Sequence, residues 1–253
     1  MASELISTDP TYLNRGLKGI TEVGIIGGKL PHTYQIIKDP TGTAPTELVE
    51  RFEVRAGDCG LHTHGSNGGA TTDCNSGRTR VEVVAHMTRV KSKWSKSAKE
   101  FWYGYSIFIP KDYPVAAPYA MPYLGQWEQL GDSEAAAYAP TLAVNESHGV
   151  LRSNGAVIAS QEDLKGKWHK IEVHARWSAE SDGYIRVYGN EELVWELTEG
   201  STASRDRIAF KYGLYRHKTF GGLKYPEDWS YPTQIVYYSN VKIGKTRKDL
   251  APD

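Results

Sequence analysis

The chain has 253 residues, 30 basic and 30 acidic side chains, 40% hydrophobic and 24% charged residues, and a pI near 7.1. This composition excludes chain-wide disorder. It gives no global field for nucleic acid or a membrane surface, and no apolar run approaches the roughly 20 residues of a membrane span. The length suits one large domain over residues 1–253, and Met1-Ala2-Ser3-Glu4-Leu5 shows no secretory signal.

Residues 1–45 carry short segments broken by Gly16, Gly19, Gly24, Gly27-Gly28, Pro31, Pro40 and Pro45, which predicts a wrapped N-terminal arm with short strands. Alternating runs follow over approximately 47–55, 78–90, 101–109, 121–130, 140–145, 150–158, 168–177, 183–188, 192–197, 207–217 and 234–243. Turn clusters separate them and no long amphipathic helix interrupts, the pattern of an all-β sandwich. Cys59 and Cys74 lie in a Gly/Asn/Thr/Asp-rich stretch. In an exported protein a disulfide there would close a loop for about 3 kcal/mol. Two free thiols, or a metal site with His62 and His64, are the alternatives, although the spacing fits no standard zinc pattern.

Period two sorts three strands by chemistry. In the run from Arg78 to Met87, Val81, Val83, Ala85 and Met87 take one face, and Arg78, Arg80, Glu82 and His86 the other. In the run from Ile208 to His217, Ile208, Phe210, Tyr212 and Leu214 face a core, leaving Lys211, Gly213, Tyr215 and His217 opposite. Gln126 and Glu128 share a face of a third strand. A sandwich strand ordinarily has a solvated face, and His174 and Arg176 fit that description. Arg, Gln, Lys and Tyr beside Gly213 instead read as a polar groove, with the glycine allowing close approach of a ligand. Arg80 and Lys211 can pair with carboxylates, Gln126 can hydrogen-bond a carboxyl group, and Tyr215 can move a proton. Together they suit removal of a proton alpha to a carboxylate followed by departure of an oxygen, which is β-elimination on a uronic acid.

These residues carry a family resemblance. Phe210-Lys211-Tyr212-Gly213-Leu214-Tyr215-Arg216 resembles the Lys-x-Gly-x-Tyr strand of the β-jelly-roll polysaccharide lyases, which include alginate lyases, heparin lyase I and glucuronan lyases. Arg78-Thr79-Arg80-Val81-Glu82 resembles their Arg-x-Glu strand, and Gln126-Trp127 their Gln-Trp-His strand. Gly57-Asp58-Cys59, Asp73-Cys74, Trp168-His169 and Val236 to Gly244 extend the likeness over roughly 47–245, in order. The resemblance implies a jelly-roll sandwich of two antiparallel sheets with a concave groove. It implies Tyr215 as catalytic acid and also base, Gln126 and Arg80 on the substrate carboxylate, and Lys211, Arg78, Glu82, Arg216 and Glu128 about the substrate, with Glu82 orienting Arg80.

The sequence departs from the family pattern at Glu128, where a His is usual, and at Ser239, where an Asp is usual. His86 is the residue expected to compensate for the first, with His62, His64, His148 and His217 as weaker candidates. A single tyrosine suffices where the proton and leaving oxygen lie on one side of the ring, which favours glucuronate and mannuronate chains. The expected protein is an endo-acting monomer working on an anionic polysaccharide, extracellular or periplasmic. It requires no cofactor, has no metal in its chemistry, and has room for a structural calcium that no acidic loop compels. The competing readings are a catalytically silent carbohydrate-binding sandwich, a hydrolase with paired carboxylates and a non-enzymatic adhesin or virion component. Asn145-Glu146-Ser147 is a glycosylation sequon that matters only in a secreted eukaryotic protein.

Overall fold

The computed structural model describes residues 4–16, 24–27, 30–58, 61–62, 71–73, 78–89, 98–114, 122–130, 141–145, 150–153, 156–160, 162–203, 207–217, 219–220, 223–224 and 232–253. In chain order the strands are β1 (Leu5–Ser7), β2 (Gly24–Ile26), β3 (Tyr34–Lys38), β4 (Leu48–Val54), β5 (Leu61–His62), β6 (Thr71–Thr72), β7 (Arg78–Arg89), β8 (Lys99–Phe108) and β9 (Tyr123–Leu130). They continue as β10 (Thr141–Asn145), β11 (Val150–Ser153), β12 (Ala156–Ala159), β13 (Trp168–Trp177), β14 (Gly183–Gly189), β15 (Glu192–Gly200), β16 (Arg207–His217), β17 (Thr219–Phe220), β18 (Leu223–Lys224) and β19 (Gln234–Gly244). One 3-10 turn, Arg247–Leu250, follows. The run expected over 150–158 divides into β11 and β12, which pair as a hairpin.

An eight-stranded antiparallel sheet runs β1-β3-β4-β19-β8-β13-β14-β15, and a seven-stranded one runs β12-β11-β10-β9-β16-β7-β2. Two two-stranded pairs, β5-β6 and β17-β18, stand apart from them. The sheets pack face to face without closing into a barrel, giving an all-β jelly-roll sandwich. The predicted arm feeds both sheets, since β1 and β3 extend the larger and β2 pairs with β7 on the smaller.

Alternation explains the core. Val81, Val83 and Ala85 of β7 and Ile208, Phe210, Tyr212 and Leu214 of β16 meet Tyr103, Tyr105, Phe52 and Tyr238 from the other sheet in one buried cluster. Aromatic rings contact edge-on and tilted, as at Phe52–Tyr238 (5.2 Å) and Tyr103–Phe210 (5.2 Å). The core also holds a charge. Arg15, reaching in from the arm, donates to Glu50 Oε1 at 2.6 Å and to the Tyr212 hydroxyl at 2.9 Å, while Tyr34 and Tyr212 donate to Glu50 at 2.5 and 2.6 Å. The arm is therefore anchored behind β16.

Candidate functional site

The site is the outward face of the seven-stranded sheet, and its chemistry comes from β7, β9 and β16. Register sets the groups side by side: Tyr215 pairs with Arg80, Gly213 with Glu82, and Lys211 with both Val84 and Gln126. On an outward face such side chains are ordinarily solvated, yet the side chains of Arg80 and Lys211 are only 10% and 8% exposed. The face is recessed.

Arg80 is held rigidly. Its Nε and Nη2 donate to the two oxygens of Asp73 at 2.9 and 3.0 Å, a bidentate pair with a fully buried carboxylate. Its guanidinium carbon lies 5.0 Å from the centroid of the Tyr215 ring, within cation–π range. Tyr123 stacks on the same ring at 5.7 Å. Burial pushes the Tyr215 phenol above its ordinary value, while Arg78 and Arg80 pull it back. The tyrosine is thus packed between a cation and an aromatic plate.

Glu82 is almost wholly buried and accepts a hydrogen bond from Gln126 Nε2 at 2.6 Å. Its second oxygen has no hydrogen-bond partner among the described residues and stands 3.7 Å from Arg80 Nη1. Burial raises the Glu82 carboxyl above the usual range, opposed by Lys211 and Arg80. This glutamate fixes Gln126 as well as facing Arg80, so it links two groups that the sequence treats separately. Lys211 donates to Glu128, whose side chain is 42% exposed. Beside Lys211, Ile26, Val84 and Ala209 make a small buried apolar cluster apart from the main core.

Arg78, Arg80, Glu82, Gln126, Glu128, Lys211 and Tyr215 are therefore assembled on one face. Arg216 is not. It follows Tyr215 on the strand, pairs with buried Thr79, is 3% exposed, and has Nη2 3.5 Å from the Arg55 carbonyl oxygen. Alternation turns it away from the face that carries Arg80, Lys211 and Tyr215.

Gly213 has a different reason for being glycine than ligand approach. It has φ +143°, and a Cβ there would lie 2.2 Å from the Val81 carbonyl oxygen and 2.9 Å from the Glu82 Cα. The missing side chain lets β16 and β7 approach each other. The Gly213 carbonyl in turn accepts from the buried Tyr238 hydroxyl at 2.8 Å.

Period two fails at two places. The β7–β16 register shifts so that Lys211 pairs with Val84 but Phe210 with His86, leaving Ala85 as an extra residue. The count that put His86 on the face of Arg80 does not run through this shift, and the His86 side chain lies outside the described residues. So do Cys59, Cys74, His64, His148 and Glu146-Ser147, and the side chains of His62, Asn145 and His217. Near Leu124 the register of β9 shifts too, with Tyr212 pairing Gly125 and Tyr215 pairing Tyr123. That shift brings Tyr123 to Tyr215. Sequence reasoning missed Tyr123, and it read Asp73 only as part of the Asp73-Cys74 likeness, not as the partner of Arg80; the signal was an acid placed just before the arginine strand.

Among the described residues no three His, Cys, Asp or Glu side chains gather as a metal site, and no helix is long and apolar enough to cross a membrane.

The sequence profile of the polysaccharide lyase family matches residues 15–242. No match was found among curated protein sequences. Among solved structures, the endo-β-1,4-glucuronan lyase from the fungus Trichoderma reesei superposes with a TM-score of 0.57 at 16% identity, covering 94% of this chain and 95% of that one. The alginate lyase vAL-1 from Chlorella virus gives 0.51 at 14% identity over 96% and 100%. A β-glucanase catalytic domain from Podospora anserina gives 0.52 at 16% identity over 100% and 96%. At these identities the likeness is one of fold, shared by lyases and a glucanase alike, so the chemistry must be argued from the residues. The match over residues 15–242 does more than the folds can, and by it the chain belongs to the polysaccharide lyase family.

Proposed function

We propose that the protein cleaves a uronic-acid-containing polysaccharide by β-elimination on the outward face of the seven-stranded sheet. The observation that carries this reading is the Arg80–Tyr215–Gln126 grouping, in which a fixed guanidinium lies 5.0 Å from the ring of the proton-bearing residue and an anchored amide stands one strand away. Arg80 and Gln126 hold the uronate carboxylate and spread the charge that builds on it as the neighbouring C–H bond breaks. The Tyr215 oxygen, as phenolate, takes the C5 proton. The freed electron pair forms the C4–C5 double bond as the C4–O bond breaks, and Tyr215 returns the proton to the leaving oxygen. One residue serves both steps where proton and oxygen lie on one side of the ring, as in glucuronate and mannuronate.

The proposal includes endo action by a monomer outside the cytoplasm. It requires no cofactor, so turnover should survive a chelator. The test is ultraviolet absorbance of the new conjugated double bond during incubation with uronate polymers. Glu82, with its raised carboxyl, and Glu128 on the same face also offer an acid and a carboxylate base to a hydrolase. That reading is the weaker, because Glu82 is 1% exposed. It predicts new reducing ends without absorbance. Retention of polymer without either product would mark a silent binding module.

A further inference from the structure

We infer that Glu128 sets the substrate class of this face. The substrate is a polysaccharide in which a uronate alternates with a neutral or amino sugar, and an unbroken polyuronate is disfavoured. The inference rests on the lyase reading above and deepens it.

Three features carry it. First, two of the three cations of the face are already engaged: Arg80 holds both oxygens of buried Asp73, and Lys211 holds Glu128. Second, the Lys211–Glu128 pair is lopsided, the ammonium side chain being 8% exposed and the carboxylate side chain 42%. What a sugar meets at this end is the carboxylate. Third, the opposite end is cationic and aromatic, with Arg78, Arg80, Tyr215 and Tyr123, and the Arg78 Nε has no hydrogen-bond partner among the described residues. The face is therefore polar along its length, receptive to an anion at one end and hostile to it at the other.

Gln126 and Glu128 are two residues apart on β9, about 7 Å, a spacing on the scale of one sugar unit. A uronate beside Lys211 would bring its carboxylate against Glu128 on the same ammonium, where like charges repel and neither is fully paired. A hydroxyl, an amide N–H or an ammonium group would instead donate to Glu128, which is acceptor-only when ionised. One carboxylate per two sugars matches this face; one per sugar does not.

The test compares kcat/KM of the full chain on polyglucuronate and polymannuronate with that on hyaluronan and heparosan, read by double-bond absorbance, for the wild type and for Glu128→Gln. The expected wild type prefers an alternating polymer by about tenfold or more, and Glu128→Gln removes most of that preference through KM on the homopolymers. Glu128→Asp, which keeps the charge, retains it. A wild type that prefers a homopolyuronate, or a ratio that Glu128→Gln leaves unchanged, overturns the inference. Absence of a double bond with every polymer is the failure of the lyase reading itself. Retention of the same polymers in affinity electrophoresis then decides the role of Glu128 separately, equal retardation of both classes by the wild type overturning it.

Discussion

Tyr215→Phe removes one oxygen and leaves the rest of the site in place. The ring keeps its stack on Tyr123 at 5.7 Å and its place 5.0 Å from the Arg80 guanidinium, so the packing that positions it survives. Loss of a hydroxyl's hydrogen bonding costs about 0.5–1.5 kcal/mol of stability, which in a protein of this size lowers Tm by only about 1–6 °C. A positioned proton donor and acceptor contributes a hundredfold to ten-thousandfold, roughly 3–5 kcal/mol of barrier. Activity and stability should therefore separate widely. The pH profile gives a second reading of the same residue. Burial holds the Tyr215 phenol above its ordinary value near 10, so phenolate is scarce at neutral pH. If it is the base, kcat/KM climbs with pH by up to about tenfold per unit until that pKa is reached. The assay is double-bond formation on the best polymer, with melting followed on the same samples. A Tyr215→Phe protein retaining more than about a tenth of wild-type kcat/KM, or a wild-type profile flat from neutral to alkaline pH, would refute the assignment.

Arg78 heads the influences that pull the Tyr215 phenol down, so Arg78→Met should move the alkaline limb of the profile further up in pH and lower activity at neutral pH, as pH-rate measurements would show. Arg15→Ala leaves the Glu50 carboxylate buried with Tyr34 and Tyr212 as its remaining side-chain donors among the described residues. Breaking such a pair costs about 3–5 kcal/mol, or about 6–20 °C in Tm; calorimetry showing a loss below about 2 °C would contradict the burial of that charge. Gly213→Ala places a methyl 2.2 Å from the Val81 carbonyl oxygen at a φ that side chains rarely adopt. It should cost at least about 2–3 kcal/mol in urea unfolding, and an unfolding midpoint equal to wild type would show that β7 and β16 can separate there freely.

The strands were legible in the sequence because burial on one face imposes period two, and β13 and β16 occupy the runs that alternation marks. The chemistry was legible for the same reason, since Arg80, Glu82, Lys211 and Tyr215 share a face by counting alone. Arg216 shows what happens when the count is set aside: next to an outward Tyr215 it must point inward, and it does. What the sequence hid are the interruptions of the count. Nothing in Val84-Ala85-His86 announces an extra residue, because a register shift depends on which strand lies alongside. Arg15 was illegible for a related reason, as an arm without periodicity gives no sign that one of its cations ends in the core beside Glu50.

Asp73 shows how the two kinds of information combine. As a sequence feature it is one acid in a glycine- and asparagine-rich loop, with no strand period to aim it. Folded, it is fully buried and occupies two of the three nitrogens of Arg80. A guanidinium so held cannot swing to meet an arriving carboxylate; of its nitrogens, Nη1 is the one that Asp73 does not hold, and it lies 3.7 Å from Glu82. Arg80 thus acts as a fixed positive wall beside Tyr215, with its conformational cost met in folding and not at binding. The same loop-borne acid explains why a face with three cations from β7 and β16 is not simply an anion trap. Arg80 and Lys211 are matched in pairs, and the position of the remaining groups, Arg78 with its Nε unpartnered among the described residues at one end and the half-exposed Glu128 at the other, is what discriminates one sugar from the next.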